Sequence, residues 1–267
     1  MRPTKALGQS FLVDPNLARA IVVDAGVLRG ERVVEIGAGL GSLTAALAES
    51  GATVLAVEFD RSLRPALREV LGSYPNVRLE FGDALRMKWD SLLGEDEWRM
   101  VSNLPYSVAV PIVMQMLEGV PQVSSYLVMV QREVGARLVA EPGDVGYGAV
   151  SVRVAYRADR ALVRRVPPTV FWPRPKVESV LVRLTPRQPS VDVDPAALFR
   201  VVQEGFAERR KTMKNALRRL GLGPSDATRI MKTCGLSPDA RAETLGLVEF
   251  SRLTTALIRE GVLEGPS

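Results

Sequence analysis

The sequence has no histidine and only one cysteine, Cys234, among its 267 residues. Without a second cysteine the chain cannot form an internal disulfide, and it cannot build a zinc site from several thiolates. Without imidazole, the serine-histidine and cysteine-histidine pairs that activate nucleophiles are excluded as well. We therefore expect no metal site, and any reaction that this chain catalyses must proceed without an imidazole base.

Long apolar runs are also missing. No apolar run reaches the roughly 18 residues that a membrane-spanning helix needs. The opening residues MRPTKALGQSFL lack the apolar core of a secretory signal. Hydrophobic residues nevertheless make up 46% of the chain, which is enough to fill a sizeable core. We expect a globular, cytoplasmic protein that does not bind a membrane.

The positive charge is modest, +5 at pH 7, but it is unevenly distributed. Six basic residues and one acid occur between 164 and 187, and six basic residues without any acid occur between 209 and 219. Such clusters suit a nucleic-acid backbone, because each phosphate that is neutralised releases counterions. A solvated basic helix face would give the same pattern, so charge alone leaves both interpretations open.

Short strands alternate with helical segments over the first half of the chain. This order predicts an α/β fold with a parallel sheet covered on both faces. Two later runs, residues 161–166 and 179–185, lie too close together for a helical crossover and are expected to pair antiparallel. The sheet should therefore have about seven strands: RVVEIG (32–37), ATVLAVE (52–58), VRLEFGD (77–83), RMVSNL (99–104), SSYLVMVQ (124–131), ALVRRV (161–166) and SVLVRLT (179–185).

The C-terminal part of the chain has a different pattern. The stretch TPRQPSVDVDP (185–195) contains three prolines and no core pattern, which is typical of a linker. Beyond it, residues 196–206, 211–221 and 249–261 have helical periodicity. The sequence therefore predicts a sheet domain over residues 1–187 and a small all-helical domain over residues 188–267.

A glycine turn and two carboxylates follow the first three predicted strands. Gly37 and Gly39 lie in the turn EIGAGLG, where backbone can approach a ligand closely. Glu58 ends the second strand, in position to accept hydrogen bonds from ribose hydroxyls, and Asp83 ends the third. Two carboxylates would repel a pyrophosphate but tolerate a cationic sulfonium. The pattern therefore favours S-adenosylmethionine over NAD.

The fourth predicted strand ends in the sequence NLPY, residues 103 to 106. An exocyclic amine such as adenine N6 attacks poorly because its lone pair is delocalised into the ring. The Asn103 side-chain oxygen and the Leu104 carbonyl, which Pro105 holds extended, can accept both N–H bonds and direct the lone pair towards a sulfonium methyl. Tyr106 offers a flat face for the base. These residues predict methyl transfer that depends on positioning and needs no strong base.

Together these segments resemble one family over nearly the whole chain and in the same order. NLPY and EIGAGLG occur with GQSFL near the start, FWPRPKVESVLVRL at 171–184 and FAERRKTMKNAL at 206–217. The chain is similar to the ribosomal RNA adenine N6,N6-dimethyltransferases, above all to the bacterial small-subunit, kasugamycin-sensitivity type. The resemblance implies a Rossmann-like class I methyltransferase domain over 1–187 and a helical RNA-binding domain over 188–267.

The resemblance also implies roles for individual residues. Phe171 would face the target base opposite Tyr106. Ser10 stands where family members often carry Asn, which puts that contact in doubt, and Ser107 departs from the family pattern and receives no role. Residues with implied donor contacts are Ser10, Leu12, Gly37, Gly39, Glu58, Asp83 and Asn103. Residues with implied RNA contacts are Arg174, Lys176, Arg209, Arg210, Lys211 and Lys214.

The implied reaction is dimethylation of N6 on two adjacent adenines in a hairpin near the 3′ end of small-subunit (16S) ribosomal RNA. The implied enzyme is a monomer that uses S-adenosylmethionine, acts on an assembling ribosomal particle and turns each base out of its stack. Three alternatives remain: a large-subunit (23S) adenine dimethyltransferase that confers antibiotic resistance, a largely non-catalytic ribosome-assembly factor, and an NAD oxidoreductase. The segments ERRKTMKNAL and RAETLGLVEFSRLTTAL favour the small-subunit type. An oxidoreductase would leave NLPY unexplained.

Overall fold

The computed structural model describes residues 9–208 and 210–265, which divide into two compact units. The first unit contains the described residues up to Ala136 together with Asp159–Pro186. The second contains Arg137–Ala158 and the described residues from Arg187 onwards. The sequence-based division leaves residues 137–158 in the first domain. They belong to the second unit because Val152 and Tyr156 are buried in its hydrophobic core.

Seven strands form one sheet in the first unit, and they are the seven that the sequence predicts. They are β2 (Arg32–Ile36), β3 (Thr53–Glu58), β4 (Val77–Phe81), β5 (Trp98–Asn103), β6 (Val123–Gln131), β7 (Ala158–Val166) and β9 (Ser179–Pro186). Their order in the sheet is β4-β3-β2-β5-β6-β9-β7. Strands β2 to β6 pair in parallel with their neighbours, and β9 is antiparallel to β6.

The order of the strands reverses between β2 and β5. After β2 the chain runs outward to β3 and β4, and it then returns to place β5 on the other side of β2. In open parallel sheets a crevice forms beyond the carboxyl ends of two such strands, because their following loops lead in opposite directions. The glycine turn follows β2 and NLPY begins at the end of β5. The topology thus brings these two motifs to one crevice.

Helices cover the sheet. Helix α1 (Pro15–Ala25) is capped at both ends: Asp14 accepts hydrogen bonds from the first-turn N–H groups, and Gly26 adopts φ +65° at the other end. The consecutive residues 54–57 of β3 are all buried, as expected for a strand with helices on both faces. The helices are α1 (Pro15–Ala25), α2 (Ser42–Glu49), α3 (Arg64–Leu71), α4 (Trp89–Leu93), α5 (Ala109–Gly119) and α6 (Arg132–Val139).

A second, two-stranded sheet was not predicted. Strand β1 (Phe11–Leu12) pairs antiparallel with β8 (Phe171–Trp172), with Phe11 opposite Trp172 and Leu12 opposite Phe171. Two-residue strands are too short to show an alternating pattern in sequence. This ribbon brings the start of the described chain to residues 171–172, more than 150 positions away.

The second unit is helical. Its helices pack around buried side chains that include Leu198, Leu217 and Phe250. Three of its helices were predicted from periodicity, whereas α7 (Ala149–Arg157) and α10 (Pro224–Thr233) were missed. In α10, Pro224 and the buried residues Ala227 and Ile230 nevertheless follow a helical pattern. No helix within the described residues is long and apolar enough to cross a membrane. The helices are α7 (Ala149–Arg157), α8 (Pro195–Ala207), α9 (Met213–Arg219), α10 (Pro224–Thr233) and α11 (Leu247–Arg259).

Candidate active site

A cavity of about 310 Å³ lies at the carboxyl edge of the sheet in the first unit. Residues that follow β2, β3, β4 and β5 line it, together with residues of the β1 segment. Ten of the residues that the sequence singles out line this cavity: Ser10, Leu12, Gly37, Gly39, Glu58, Asp83, Asn103, Leu104, Pro105 and Tyr106. Phe171 is the one predicted donor-site or catalytic residue that does not.

The glycine turn lies directly against the NLPY segment. Gly37 has φ +87°, and a Cβ atom at this position would lie 3.1 Å from the Asn103 carbonyl oxygen and 3.2 Å from Cδ of Pro105. Gly39 has φ +59°, and its Cβ would lie 3.0 Å from the Phe11 ring. A side chain at either position would therefore strain the backbone and crowd a cavity wall. Because glycine has no side chain, a ligand at this turn would meet main-chain atoms.

Glu58 joins the glycine turn to the end of β3. Its Oε2 accepts a hydrogen bond from the Gly39 N–H at 2.8 Å, and its Oε1 accepts one from the Asp60 N–H at 2.8 Å. Burial raises the pKa of this carboxyl, while the backbone hydrogen bonds oppose that rise. The Phe59 N–H is a further backbone donor to this carboxylate, which has about four lone-pair sites in all, so acceptor capacity remains. Glu58 can thus hold the turn and accept ribose hydroxyls at once.

Glu35 is a cavity residue to which sequence reasoning assigned no role. It is 1% exposed, and the Thr44 hydroxyl donates to its Oε2 at 2.5 Å. Burial raises the pKa of Glu35 to about 8, and nearby Glu58 adds to the rise although the Thr44 hydrogen bond opposes it. Glu35 is therefore mostly a neutral carboxylic acid at pH 7. An acid inside an otherwise apolar strand was the signal that could have identified it.

Asp83 and Phe59 lie on the cavity wall beyond Glu58. The Asp83 carboxylate accepts a hydrogen bond from the Leu85 N–H at 3.0 Å and lies 3.6 Å from Nε of Arg86. Phe59 directly follows Glu58, and 59% of its surface is exposed. An acceptor and an exposed aromatic ring that line the same cavity suit the amine and the face of a purine.

The end of β5 presents two carbonyl oxygens. The Asn103 side-chain nitrogen donates to the Ser10 carbonyl oxygen at 3.4 Å, which leaves Oδ1 as the acceptor end of this amide. The Leu104 N–H donates to the Met129 carbonyl of β6 at 3.1 Å, which fixes the main chain here. Neither Asn103 Oδ1 nor the Leu104 carbonyl accepts a hydrogen bond from residues 9–208 or 210–265. Asn103 contacts the main-chain carbonyl of Ser10, so this contact does not depend on the side chain at position 10.

Tyr106 is fixed by its hydroxyl group. This group lies 2.9 Å from the Ser179 hydroxyl at the start of β9. Burial raises the pKa of Tyr106, so the side chain stays a neutral phenol at physiological pH. The ring lines the cavity with its orientation held from the far end.

Phe171 is not among the residues that line the cavity, although its strand partner Leu12 is. It is 4% exposed and packs in the hydrophobic core of the first unit. Directly opposed residues of an antiparallel pair share a face, so Phe171 shares one with Leu12, while Phe11 and Trp172 share the other. Phe11 lines the cavity and lies against Gly39. The pairing therefore places Trp172, and not Phe171, on the same face of the β1-β8 ribbon as Phe11.

The basic clusters are partly neutralised in the fold. Arg164 forms a two-point ion pair with Asp24, at 2.6 and 2.9 Å, and Arg219 pairs with Glu204 and Glu208. Counting charges along the sequence therefore overstates the positive surface. Of the predicted RNA contacts, Arg174, Lys176, Arg210 and Lys211 are exposed and Lys214 is half-buried, while Arg209 lies outside the described residues.

The cavity matches the chemistry of S-adenosylmethionine. The side-chain-free turn at Gly37 and Gly39 leaves room for a ligand against the main chain, and Glu58 offers acceptors for ribose hydroxyls. The described residues contain no group of three or more histidine, cysteine, aspartate or glutamate side chains that could hold a metal ion.

Comparison with known proteins adds an independent result. Residues 2–258 match the family model described as ribosomal RNA adenine dimethylase. The chain is 45% identical to ribosomal RNA small subunit methyltransferase A of Moorella thermoacetica, across 96% of this chain and 92% of that protein. It is 43% identical to the protein of the same name from Cutibacterium acnes, across 98% and 91%.

Two solved structures are similar to the fold over nearly its full length. A dimethyladenosine transferase from Plasmodium falciparum superposes with a TM-score of 0.79 at 22% identity, covering 94% of this chain and 98% of that one. The 23S rRNA methyltransferase ErmE superposes with a TM-score of 0.70 at 25% identity, covering 92% and 99%. In both cases the similarity extends through both units.

Proposed function

Because the chain belongs to the ribosomal RNA adenine dimethylase family, we propose that it methylates the N6 amine of adenines in small-subunit (16S) ribosomal RNA. The fold is that of the Rossmann-like class I methyltransferases, and S-adenosylmethionine is the cofactor. One observation carries the proposal for the site itself. Asn103 Oδ1 and the Leu104 carbonyl are two neighbouring acceptors, without partners among the described residues, in a cavity that the glycine turn also lines.

When bound, S-adenosylmethionine supplies an electrophilic methyl group on a sulfonium sulfur. The glycine turn, Ser10 and Leu12 would hold its main body, Glu58 would bind the ribose hydroxyls, and Asp83 would bind the adenine. Glu35 is mostly neutral at pH 7, so it adds little negative charge beside Glu58. Glu58 and Asp83 are then the two carboxylates of the cavity lining that would favour a cationic ligand.

Asn103 and Leu104 act on the target amine. Their two oxygens accept both N–H bonds of adenine N6, and the nitrogen lone pair then lies away from the ring plane. Tyr106 stacks on the base and limits its rotation. The alkylated nitrogen is acidic and loses its proton to water, so the absence of histidine is compatible with the reaction. Positioning of this kind can supply roughly 7 to 11 kcal/mol of rate acceleration.

The finer details of the substrate are part of the proposal. The two adjacent adenines of a 3′-terminal hairpin are turned out in succession, in an assembling ribosomal particle in the cytoplasm, by a monomer. Exposed Arg174, Lys176, Arg210 and Lys211 support contact with an RNA backbone. The relatives named for the small subunit are 45% and 43% identical, whereas the 23S enzyme is 25% identical. The small-subunit substrate is therefore favoured over the large-subunit one.

Incubation with labelled S-adenosylmethionine and purified ribosomal subunits that lack the modification tests this function. We expect label on N6 of two adjacent adenines of the small subunit and none on the large subunit. Label on a large-subunit adenine would support the resistance-type alternative. RNA binding without any methyl transfer would support the non-catalytic alternative.

A further inference from the structure

Trp172 is a large aromatic side chain that the proposed reaction does not use. Among the large hydrophobic side chains that are exposed in the described residues, two are aromatic, Phe59 and Trp172. Phe59 lines the cavity, where a bound ligand would cover it. Trp172 is 47% exposed and lies outside the cavity lining. Its exposed indole face is available to a partner.

The Trp172 ring continues the cavity wall towards solvent. It stacks on Phe11 with ring centroids 6.5 Å apart and ring planes inclined by 25°. Phe11 is 5% exposed and lines the cavity. The antiparallel register places Phe11 and Trp172 on the same face of the β1-β8 ribbon. The two rings therefore form one aromatic surface that begins at the cavity and ends in water.

The segment that follows Trp172 is also anchored at the cavity. Residues 173–178 connect Trp172 to Ser179, whose hydroxyl lies 2.9 Å from that of Tyr106. Both ends of this segment thus contact residues that line the cavity. Its basic side chains, Arg174 and Lys176, are exposed and have no ion-pair partner within the described part of the chain. A flat aromatic ring and two exposed cations thus lie on a segment whose two ends contact cavity-lining residues.

We propose that Trp172 stacks on the base of a nucleotide next to the adenine undergoing methylation, while Arg174 and Lys176 bind the adjoining phosphates. This inference rests on the proposed function, since it requires an RNA whose target base enters the cavity. An adenine that leaves its stack also exposes the face of a neighbouring base. An aromatic ring can cover that face whichever base it is, and cations beside the ring match the backbone. Trp172 is then a positioning residue, outside the set that contacts the reacting atoms.

Tryptophan fluorescence gives a direct test, because the other two tryptophans are buried. Trp89 and Trp98 are 4% and 7% exposed, and their indole N–H groups donate to main-chain carbonyls. Titration with an RNA hairpin that contains two adjacent adenines should quench the wild-type emission. Trp172→Phe should remove the quenching and keep most of the affinity. Trp172→Ala should weaken binding about fivefold or more, the effect expected for loss of one base stack.

Val177→Ala is the matched control, because Val177 is an exposed apolar side chain of the same segment, 46% exposed, without a π face. It should leave affinity and quenching unchanged. On small subunits that lack the modification, Trp172→Ala should raise KM and leave kcat nearly unchanged, as expected for loss of a binding contact. A fall in kcat with KM unchanged would overturn the inference.

A series of hairpins, each lacking one base around the target adenines, separates stacking from a structural role. The hairpin that lacks the base on which Trp172 stacks should bind equally well to wild type and to Trp172→Ala. The inference is overturned if the ratio of their affinities is the same for every hairpin, or if wild-type emission does not change on binding. Failure of the proposed function is a separate result, absence of methyl transfer by the wild type, which the fluorescence titration does not require.

Discussion

Asn103 shows how the orientation of one amide can define a chemical role. Its nitrogen end is occupied by the Ser10 carbonyl at 3.4 Å, so its oxygen end is available at the cavity. A rotated amide would present two N–H donors, which cannot bind the N–H bonds of an amine. The contact with Ser10 therefore selects the orientation that accepts hydrogen bonds from adenine N6.

We expect Asn103→Ala to lower the rate of methyl transfer by about 100-fold or more, as is typical when one preorganised polar group is removed from an active site. Donor binding should be largely retained, because Glu58 and the glycine turn remain. Single-turnover assays on undermethylated small subunits measure the first effect, and calorimetry with the donor measures the second. Asn16→Ala makes the same change on the exposed face of α1 and should match wild type. A near-normal single-turnover rate for Asn103→Ala would reject the assigned role.

The buried Glu35 should make stability depend on pH. Its pKa is about 8 in the folded chain and near 4.5 when unfolded, so between these values the folded state binds more protons. The free energy of unfolding should therefore fall as pH rises from about 5 to 8, by up to about 1.4 kcal/mol per pH unit from this group. Glu35→Gln keeps an acceptor for Thr44 and cannot titrate.

Urea unfolding of wild type and Glu35→Gln at several pH values measures this contribution, as the difference between their free energies of unfolding. Relative to wild type, Glu35→Gln should become progressively more stable between pH 5 and pH 8. Other titrating groups are common to both proteins and cancel in the comparison. If the free energies of unfolding of the two proteins changed in parallel between pH 5 and pH 8, the folded chain would not hold Glu35 as a neutral acid.

At the scale of helices and strands, much of the fold could be predicted from local patterns. The strands of the main sheet carry strong apolar runs, and all seven were predicted correctly. The β1-β8 ribbon was missed because it joins two-residue segments from distant parts of the chain. The position of Phe171 depends on that pairing, and so sequence could not distinguish a base contact from a core residue.

The turn after β2 is the element whose shape most directly limits the cavity. Gly37→Ala should lower stability by roughly 1 to 3 kcal/mol, because it places a side chain at positive φ. It should also weaken donor binding, since the new methyl group would displace the Asn103 carbonyl or the Pro105 ring. Denaturant unfolding and calorimetry measure the two effects.

Gly26→Ala separates these two causes. Gly26 also has positive φ, +65°, but a Cβ there would meet no atom within 4 Å. This variant should lose stability because of the backbone alone and bind the donor as wild type does. Equal donor affinity for Gly37→Ala and Gly26→Ala would contradict the close packing between the turn and NLPY.

At the scale of the whole molecule, net charge predicts RNA binding only after internal ion pairs are subtracted. Arg164 and Arg219 each belong to a basic cluster in sequence, yet both have carboxylate partners in the fold. Arg210 and Lys211 are exposed, and neither has an ion-pair partner within the described parts of the chain. Positive charges that are available to phosphates therefore come from fewer residues than the sequence suggests.

The salt dependence of RNA binding can distinguish these two groups of cations. Replacing Arg210 and Lys211 together by glutamine should weaken binding and reduce the slope of log K against log salt by about 1.4 to 1.8, since each lost phosphate contact contributes roughly 0.7 to 0.9. Substitution of Arg209 should act in the same direction if the sequence-based prediction for it is right. Arg164→Gln removes one positive charge from a residue already paired with Asp24, and its slope should equal that of wild type. Both variants could instead reduce the slope by the same amount for each charge removed. The slope would then depend on net charge, and local contact of Arg210 and Lys211 with phosphates would be excluded.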